Sequence, residues 1–289
     1  MRRKVNREEV AKELLPGESR ALLQELHLLT RDGDLNADSL RKLKQVNHLV
    51  RLLAPALEEV LSRFGDPVIV DCGSGKGYLG FILYELFVGP AGKGTLIGIE
   101  SRPELARAAT ERAARLGYGR MRFIAGDVAG AAPVPSRVHL VTALHACDTA
   151  TDDALVLAAR HGADHVAVVP CCQAEVARQL ARRQGADPAL AEMHHHPWHR
   201  RELGSHLTNV IRALALEVLG YQVTVTELAG WEHSLKNELL LGRKIHGESR
   251  PARQRLDALL AASGVRPKLV RELWGGSPEP APDPVPDPA

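Results

Sequence analysis

The stretch Val68-Ile69-Val70-Asp71-Cys72-Gly73-Ser74-Gly75-Lys76-Gly77-Tyr78-Leu79 decides the fold. An apolar run of strand type ends in an aspartate, glycines follow at every second position, and a helical run from Tyr78 to Phe87 comes next. Strand, glycine turn and helix in that order make the first half of a β-α-β unit. Its glycines let the backbone approach a ligand at the helix N-terminus. Two common phosphate loops do not fit. A Walker A loop needs Ser or Thr after Gly-Lys, but Gly77 follows Lys76, and Val70 stands where its first glycine belongs. The dinucleotide fingerprint needs a last glycine at a position held here by Tyr78.

Outward from this stretch the alternation continues. Strands are predicted at Thr95 to Ile99, Met121 to Ile124, Val138 to Leu144 and Val166 to Val169. Helices are predicted at Glu104 to Leu116, opened by Pro103, and at Asp152 to Arg160 and Ala174 to Arg183. A further helix, Leu207 to Leu219, precedes strands at Tyr221 to Leu228 and Glu238 to Arg243. Near-continuous apolar strands between helices predict the α/β class, with a doubly wound, mostly parallel sheet of seven strands. The domain spans 65–246 and carries an inserted His-rich loop at 185–205, which holds His194-His195-His196-Pro197-Trp198-His199. A helical segment, 1–64, precedes it; there Leu43, Val46, Val50, Leu53 and Leu57 recur at helical spacing, and Pro55 is expected to kink or divide the helix. The other face of that helix carries Arg41, Lys44, His48 and Arg51, either a solvated face or an anion-contacting strip. A basic helical segment at 247–275 follows the domain. The proline-rich acidic tail at 276–289 has too few apolar residues to fold.

Composition narrows the class. Among 289 residues, 45% are apolar and 25% charged, as in a globular protein. Net charge is +2, but the tail supplies Glu279, Asp283 and Asp287, so the rest of the chain is mildly basic. Aromatics are only 4%, which argues against a surface built from many stacking rings. Four cysteines are too few for a disulfide scaffold, and no signal-like or membrane-spanning run is seen; the expected setting is cytoplasmic.

Four stations occur in order along the chain: Asp71-x-Gly73-x-Gly75-x-Gly77; Glu100 at the end of the second strand; Gly126-Asp127-Val128 after the third; and Leu144-His145-Ala146-Cys147-Asp148 after the fourth. Together they resemble the class I S-adenosylmethionine-dependent methyltransferases. The resemblance implies S-adenosylmethionine as cofactor. Asp71, Gly73, Ser74, Gly75, Gly77, Tyr78 and Leu79 would lie on its methionine side. Glu100 and Ser101 would lie at the ribose, Asp127 and Val128 at the adenine, and His145 beside the reacting end. A carboxylate such as Glu100 suits a ribose because it accepts hydrogen bonds from both hydroxyls. Three strings, Asp71 to Leu79, Leu144 to Asp152 and Val169-Pro170-Cys171-Cys172-Gln173, narrow this further. They are similar to the methyltransferase-like 25 group and to a tRNA 2′-O-methyltransferase family, over roughly 40 to 245. Here Cys147 is followed by Asp148 rather than Gly.

The acceptor is the open question. The amine-methylating signature, Asn or Asp before Pro-Pro-aromatic, is absent after the fourth strand. Methylation of RNA, tRNA or rRNA, at a ribose 2′-oxygen would need alignment and removal of a hydroxyl proton. Asp148 and Lys44 are candidates, with Glu227, Glu232 and Lys236 as further polar groups; Asp148 is equally read as a helix cap. Methylation at pyrimidine C5 would use a cysteine nucleophile, for which Cys171 or Cys172 stands after the fifth strand; a packing role for these thiols is the plainer reading. Zinc is not expected, because the Cys171-Cys172 and His194-His196 spacing is that of no known finger. A small-molecule or protein methyltransferase, and a non-catalytic scaffold of the same fold, are the alternatives.

Overall fold

The computed structural model describes residues 4–5, 15–29, 35–130, 133–144, 146, 148–170, 173–182, 188–228 and 238–275. A seven-stranded sheet forms the centre. Its strands are β1 (Val68–Cys72), β2 (Thr95–Glu100), β3 (Met121–Ala125), β4 (Leu140–Leu144), β5 (His165–Val169), β6 (Tyr221–Glu227) and β7 (Glu238–Lys244). They lie in the order β3-β2-β1-β4-β5-β7-β6. The first five are parallel, and β7 runs antiparallel to both β5 and β6. Chain order reverses between β1 and β4. An open sheet therefore has a crevice at the carboxyl ends of these two strands.

Both faces of the sheet are buried, which is why its strands read as continuous apolar runs. Ile69, Leu96 and Leu140 face one layer, where α1 (Arg20–Glu25) brings Leu22, α2 (Ala37–Arg63) brings Leu43, Leu53 and Leu57, α3 (Tyr78–Leu83) brings Phe81 and Ile82, and α4 (Pro103–Arg115) brings Ala109. The next residues along, Val70, Ile97 and Val141, face the other layer. There they meet Leu155 of α5 (Ala150–Arg160), Leu216 of α8 (Pro197–Val218) and Leu269 of α10 (Lys268–Trp274). The period of two in the strands is thus read directly in the two cores. A third core joins α6 (Glu175–Arg182) and α8 to α9 (Arg250–Ser263) and α10 through Val176, Leu180, Ile211, Leu256 and Val265. The C-terminal segment is therefore two docked helices rather than one, divided at Gly264, where φ is 65°.

Some expectations need correction. Pro55 does not divide α2, which runs unbroken from Ala37 to Arg63; Leu49, Leu53 and Leu57, all buried along one side, hold both halves to one core. The helix after β1 passes at Tyr84 into a π turn, Tyr84–Val88. The described part of 185–205 is not a loop. It forms α7 (Pro188–His195) and the start of α8, which begins ten residues earlier than Leu207. Pro197 occupies the first turn of α8, where its missing N–H costs nothing, and the His196 ring nitrogen Nδ1 accepts from the Trp198 N–H at 3.2 Å. Gly204 on α8 lets that helix cross α6 closely, since a Cβ there would stand 2.8 Å from the backbone of Ala177.

Candidate active site

The glycine turn after β1 is fixed by its own backbone. The Ser74 N–H donates to the Ile99 carbonyl at 2.9 Å, which ties the turn to the end of β2, and the Gly77 N–H donates to the Ser74 carbonyl at 2.7 Å. Gly77 precedes α3 with φ 79°, and a Cβ there would meet the Phe81 ring at 2.9 Å. The turn therefore accepts only glycine at that position. Across from it, the Gly75 N–H donates to Glu100 Oε2 at 2.7 Å. The other oxygen, Oε1, accepts from Arg102, at 3.1 Å from its N–H and at 2.7 Å from Nε. Burial pushes the Glu100 carboxyl upward, but these hydrogen bonds outweigh it and hold it below the ordinary glutamate value.

A cleft of about 510 Å³ opens at this end of the sheet, within the range of small-ligand sites. Gly73 of the turn forms one part of its wall. Ile99 and Glu100 end β2, Ser101 and Arg102 follow it, and Gly126, Asp127, Val128 and Ala129 follow β3. Ala146, Ala150 and Asp153 come from the end of β4 and from α5, and Lys268 from α10. Lys268 Nζ lies 2.5 Å from Asp153 Oδ1. Its backbone N–H is held by both oxygens of Glu175, at 3.0 and 2.9 Å, which fixes α10 against α6. The Ser74 hydroxyl is buried with no hydrogen-bond partner, so this turn keeps an unsatisfied polar group. Anionic groups at two strand ends and close backbone approach at Gly73 fit a nucleoside bearing a short zwitterionic arm.

Gly73, Glu100, Ser101, Asp127 and Val128 thus line the cleft, as the sequence suggests. Ser74, Gly75 and Gly77 shape the turn behind its wall. Asp71 is not on the wall. It is buried beneath the turn and accepts from the Thr142 hydroxyl at 2.9 Å. Leu79 packs into the sheet core, and Tyr78 lies half-buried against it. His145, Cys147, Cys171, Cys172, Glu232 and Lys236 lie outside the described residues. Arg102, Asp153 and Lys268 were not read from sequence. Arg102 had a signal, standing two residues from Glu100; Lys268 had none, because nothing local links it to Gly73.

Two catalytic candidates are placed differently from expectation. Lys44 is exposed on α2 and does not line the cleft. Asp148, at φ 49°, does not cap the helix that follows it. Its Oδ1 instead accepts from the N–H groups of Ala174 and Glu175, at 2.9 and 3.2 Å, so it caps α6 beyond β5. Its Oδ2 accepts from Arg178 at 3.2 Å. Burial raises its pKa, but these donors prevail and lower it below the ordinary aspartate value. Behind it, Arg212 is buried. Its Nε donates to Asp152 at 2.7 Å and its Nη2 to the Asp148 carbonyl at 2.8 Å. Asn209 links this group to Gln173 at 3.1 Å and to Glu238 at 2.7 Å. Among the described residues no His, Cys, Asp and Glu side chains gather in a metal-holding set, and no helix is long and apolar enough to cross a membrane.

Asp71 carries a pH prediction. Burial pushes its carboxyl up to about 7, the Thr142 hydroxyl pulls it down and Glu100 adds to the rise. Between about pH 4 and 7 the folded protein keeps a proton that the unfolded chain gives up, so stability falls as pH rises through that window. In urea titrations the wild-type midpoint is expected to drop more between pH 5 and 8 than that of Asp71→Asn. Parallel curves would show that Asp71 is already ionised in the fold.

This sheet order, with a glycine turn after β1 and an acidic residue closing β2 at the switch point, is the arrangement expected from the sequence's resemblance to the class I S-adenosylmethionine-dependent methyltransferases. A family model described as a methyltransferase domain matches residues 41–179, from the second turn of α2 into α6. No curated protein matches the chain. Solved structures resemble it distantly. An rRNA methylase from Streptococcus thermophilus is 13% identical, with 68% of this chain and 96% of that one covered at a TM-score of 0.45. An S-adenosylhomocysteine-bound methyltransferase from Podospora anserina is 13% identical over 83% and 94%, at 0.47. A geranyl diphosphate methyltransferase in complex with S-adenosylmethionine is 16% identical over 82% and 95%, at 0.44.

Proposed function

We propose that the chain transfers a methyl group from S-adenosylmethionine to RNA, tRNA or rRNA. One observation carries the choice of acceptor: a groove of about 390 Å³ between α6 and α8, edged by Arg178, Arg200 and Arg201. Its lining includes Gln173 and Ala174, four and five residues beyond the carboxyl end of β5. Trp198 stands 51% exposed beside it, with the Arg201 guanidinium 4.5 Å from the ring centroid. Guanidinium groups on a groove suit phosphates, and one exposed indole offers a base a stacking face. The narrower likeness to the methyltransferase-like 25 group and to a tRNA 2′-O-methyltransferase family supports the same acceptor. A cytoplasmic setting belongs to the same reading.

In this reading Gly73 and the backbone of the turn behind it receive the methionine arm. Glu100 and Ser101 receive the ribose, and Asp127 and Val128 the adenine; His145 is the sequence's candidate for the reacting end. The cofactor supplies an activated methyl group. The protein's task is then to align the acceptor oxygen or carbon with it and accept a proton. Asp148, its oxygens committed to Ala174, Glu175 and Arg178, anchors the groove and is a poor proton acceptor at its lowered pKa. Cys171, after β5 in the sequence, is the nucleophile candidate for a pyrimidine acceptor. Lys44, on α2, serves as a phosphate contact.

The test is RNA binding across salt. An RNA acceptor predicts that affinity for total tRNA or rRNA falls about 10³-fold or more from 50 to 200 mM salt if six or more phosphates are contacted. Arg200→Ala with Arg201→Ala should weaken binding at every salt. Cofactor binding without salt-dependent RNA binding would overturn the reading in favour of a small-molecule acceptor, for which the Ala174, Ala177, Ala181 and Pro197 lining of the groove would be the pocket.

A further inference from the structure

Methyl transfer changes the charge of the bound cofactor. S-adenosylmethionine carries an ammonium, a carboxylate and a sulfonium, and is a net cation; S-adenosylhomocysteine lacks the sulfonium charge and is net neutral. The cleft's described ionisable lining is Glu100, Asp127 and Asp153 against Arg102 and Lys268. Glu100 is paired with Arg102 at 2.7 Å and Asp153 with Lys268 at 2.5 Å. The formal balance is therefore one negative charge, enough to favour the cation over the neutral product. Lys268 decides that balance from outside the sheet. It enters from α10, its side chain is mostly buried, and its backbone is clamped by Glu175. Arg271 of the same helix reaches Glu175 Oε1 at 2.9 Å, so the lysine is delivered by a fixed support.

We propose that Lys268 sets the relative affinity of the cleft for S-adenosylmethionine and S-adenosylhomocysteine by neutralising Asp153. The inference rests on the cofactor assignment above. With Lys268 present, the preference for the cation is small and the product leaves readily. Without it the cleft gains a second net negative charge, and the sulfonium is held more tightly than the product. Lys268 is a specificity-determining residue here, with no part in the chemistry of transfer.

The experiment is calorimetric titration of the full chain with each of the two ligands at low salt. Binding of neither ligand by the wild type would sink the cofactor assignment itself, independently of Lys268. If the wild type binds, Lys268→Gln should shift the ratio of the two dissociation constants toward S-adenosylmethionine by about five- to tenfold, as expected for charges on the order of 10 Å apart in a partly wet site. The shift should shrink in about 0.5 M salt. Lys268→Arg should keep the wild-type ratio. Asp153→Asn should move it the opposite way, and this variant carries the test if Lys268→Gln does not fold. Equal weakening of both ligands in Lys268→Gln would show that the lysine only docks α10, and an unchanged ratio in Asp153→Asn would overturn the proposal.

Discussion

Glu100→Gln is expected to weaken S-adenosylhomocysteine binding by about ten- to a hundredfold, the scale of a lost buried hydrogen-bonded charge. The carboxylate closes β2 and faces two ways. One oxygen holds the Gly75 N–H at 2.7 Å and so fixes the glycine turn; the other holds Arg102. An amide of the same shape cannot do both. Turned to offer its oxygen to Gly75, it sets an NH2 group against the Arg102 guanidinium. Turned the other way, it sets a donor against the Gly75 N–H. It also loses the acceptor pair that a ribose would use. The loss should appear in titration calorimetry, and the urea midpoint should fall as well, since Glu100 is buried and ties the glycine turn to Arg102. Unchanged affinity would remove Glu100 from the cofactor site.

Arg212→Met is expected to destabilise the fold by about 3–5 kcal/mol in urea denaturation, the usual cost of leaving a buried charge without its partner. Arg212 is 1% exposed and Asp152 is equally enclosed. The methionine would fill the volume of the stem but leave the Asp152 carboxylate and the Asp148 carbonyl without donors. Adding Asp152→Leu should recover much of the loss, because the pair is then replaced by apolar groups of similar size. A double variant no better than the single one would mean that the Asp148 carbonyl, not the ion pair, is the main debt of the site. The prediction bears on function as well as stability, since Arg212 supports the turn carrying Asp148, and Asp148 caps the helix that borders the groove.

Much of this architecture was legible in the sequence. The stretch from Val68 to Leu79 and the later apolar strands are local signals, and parallel strands covered on both faces cannot hide them. Glu100 and Asp127 were found because a strand end fixes where the next residue points. The failures have physical causes. The segment around His194 to His199 looked irregular by composition, yet Pro197 and His196 are start signals that suit a helix N-terminus. Asp148 was weighed as a cap for the helix beside it in the chain, whereas positive φ turns its carboxylate toward α6. Asp71 belongs to the motif by sequence but is pointed away from the cleft by the alternation of β1. Lys268 reaches the cleft only through the docking of α10 on α5, and no local pattern encodes that contact.

The cleft wall joins Gly73 to Lys268, and that pairing has a consequence for synthesis. A ribosome-bound chain that has released all seven strands but not yet α10 has a cleft open on one side until α10 leaves the exit tunnel. The five parallel strands, whose pairings are all non-local, must assemble without full help from bound ligand. Ligand stabilises only the state that binds it. Any rescue of slow folding by the cofactor is thus confined to chains in which α10 has already docked.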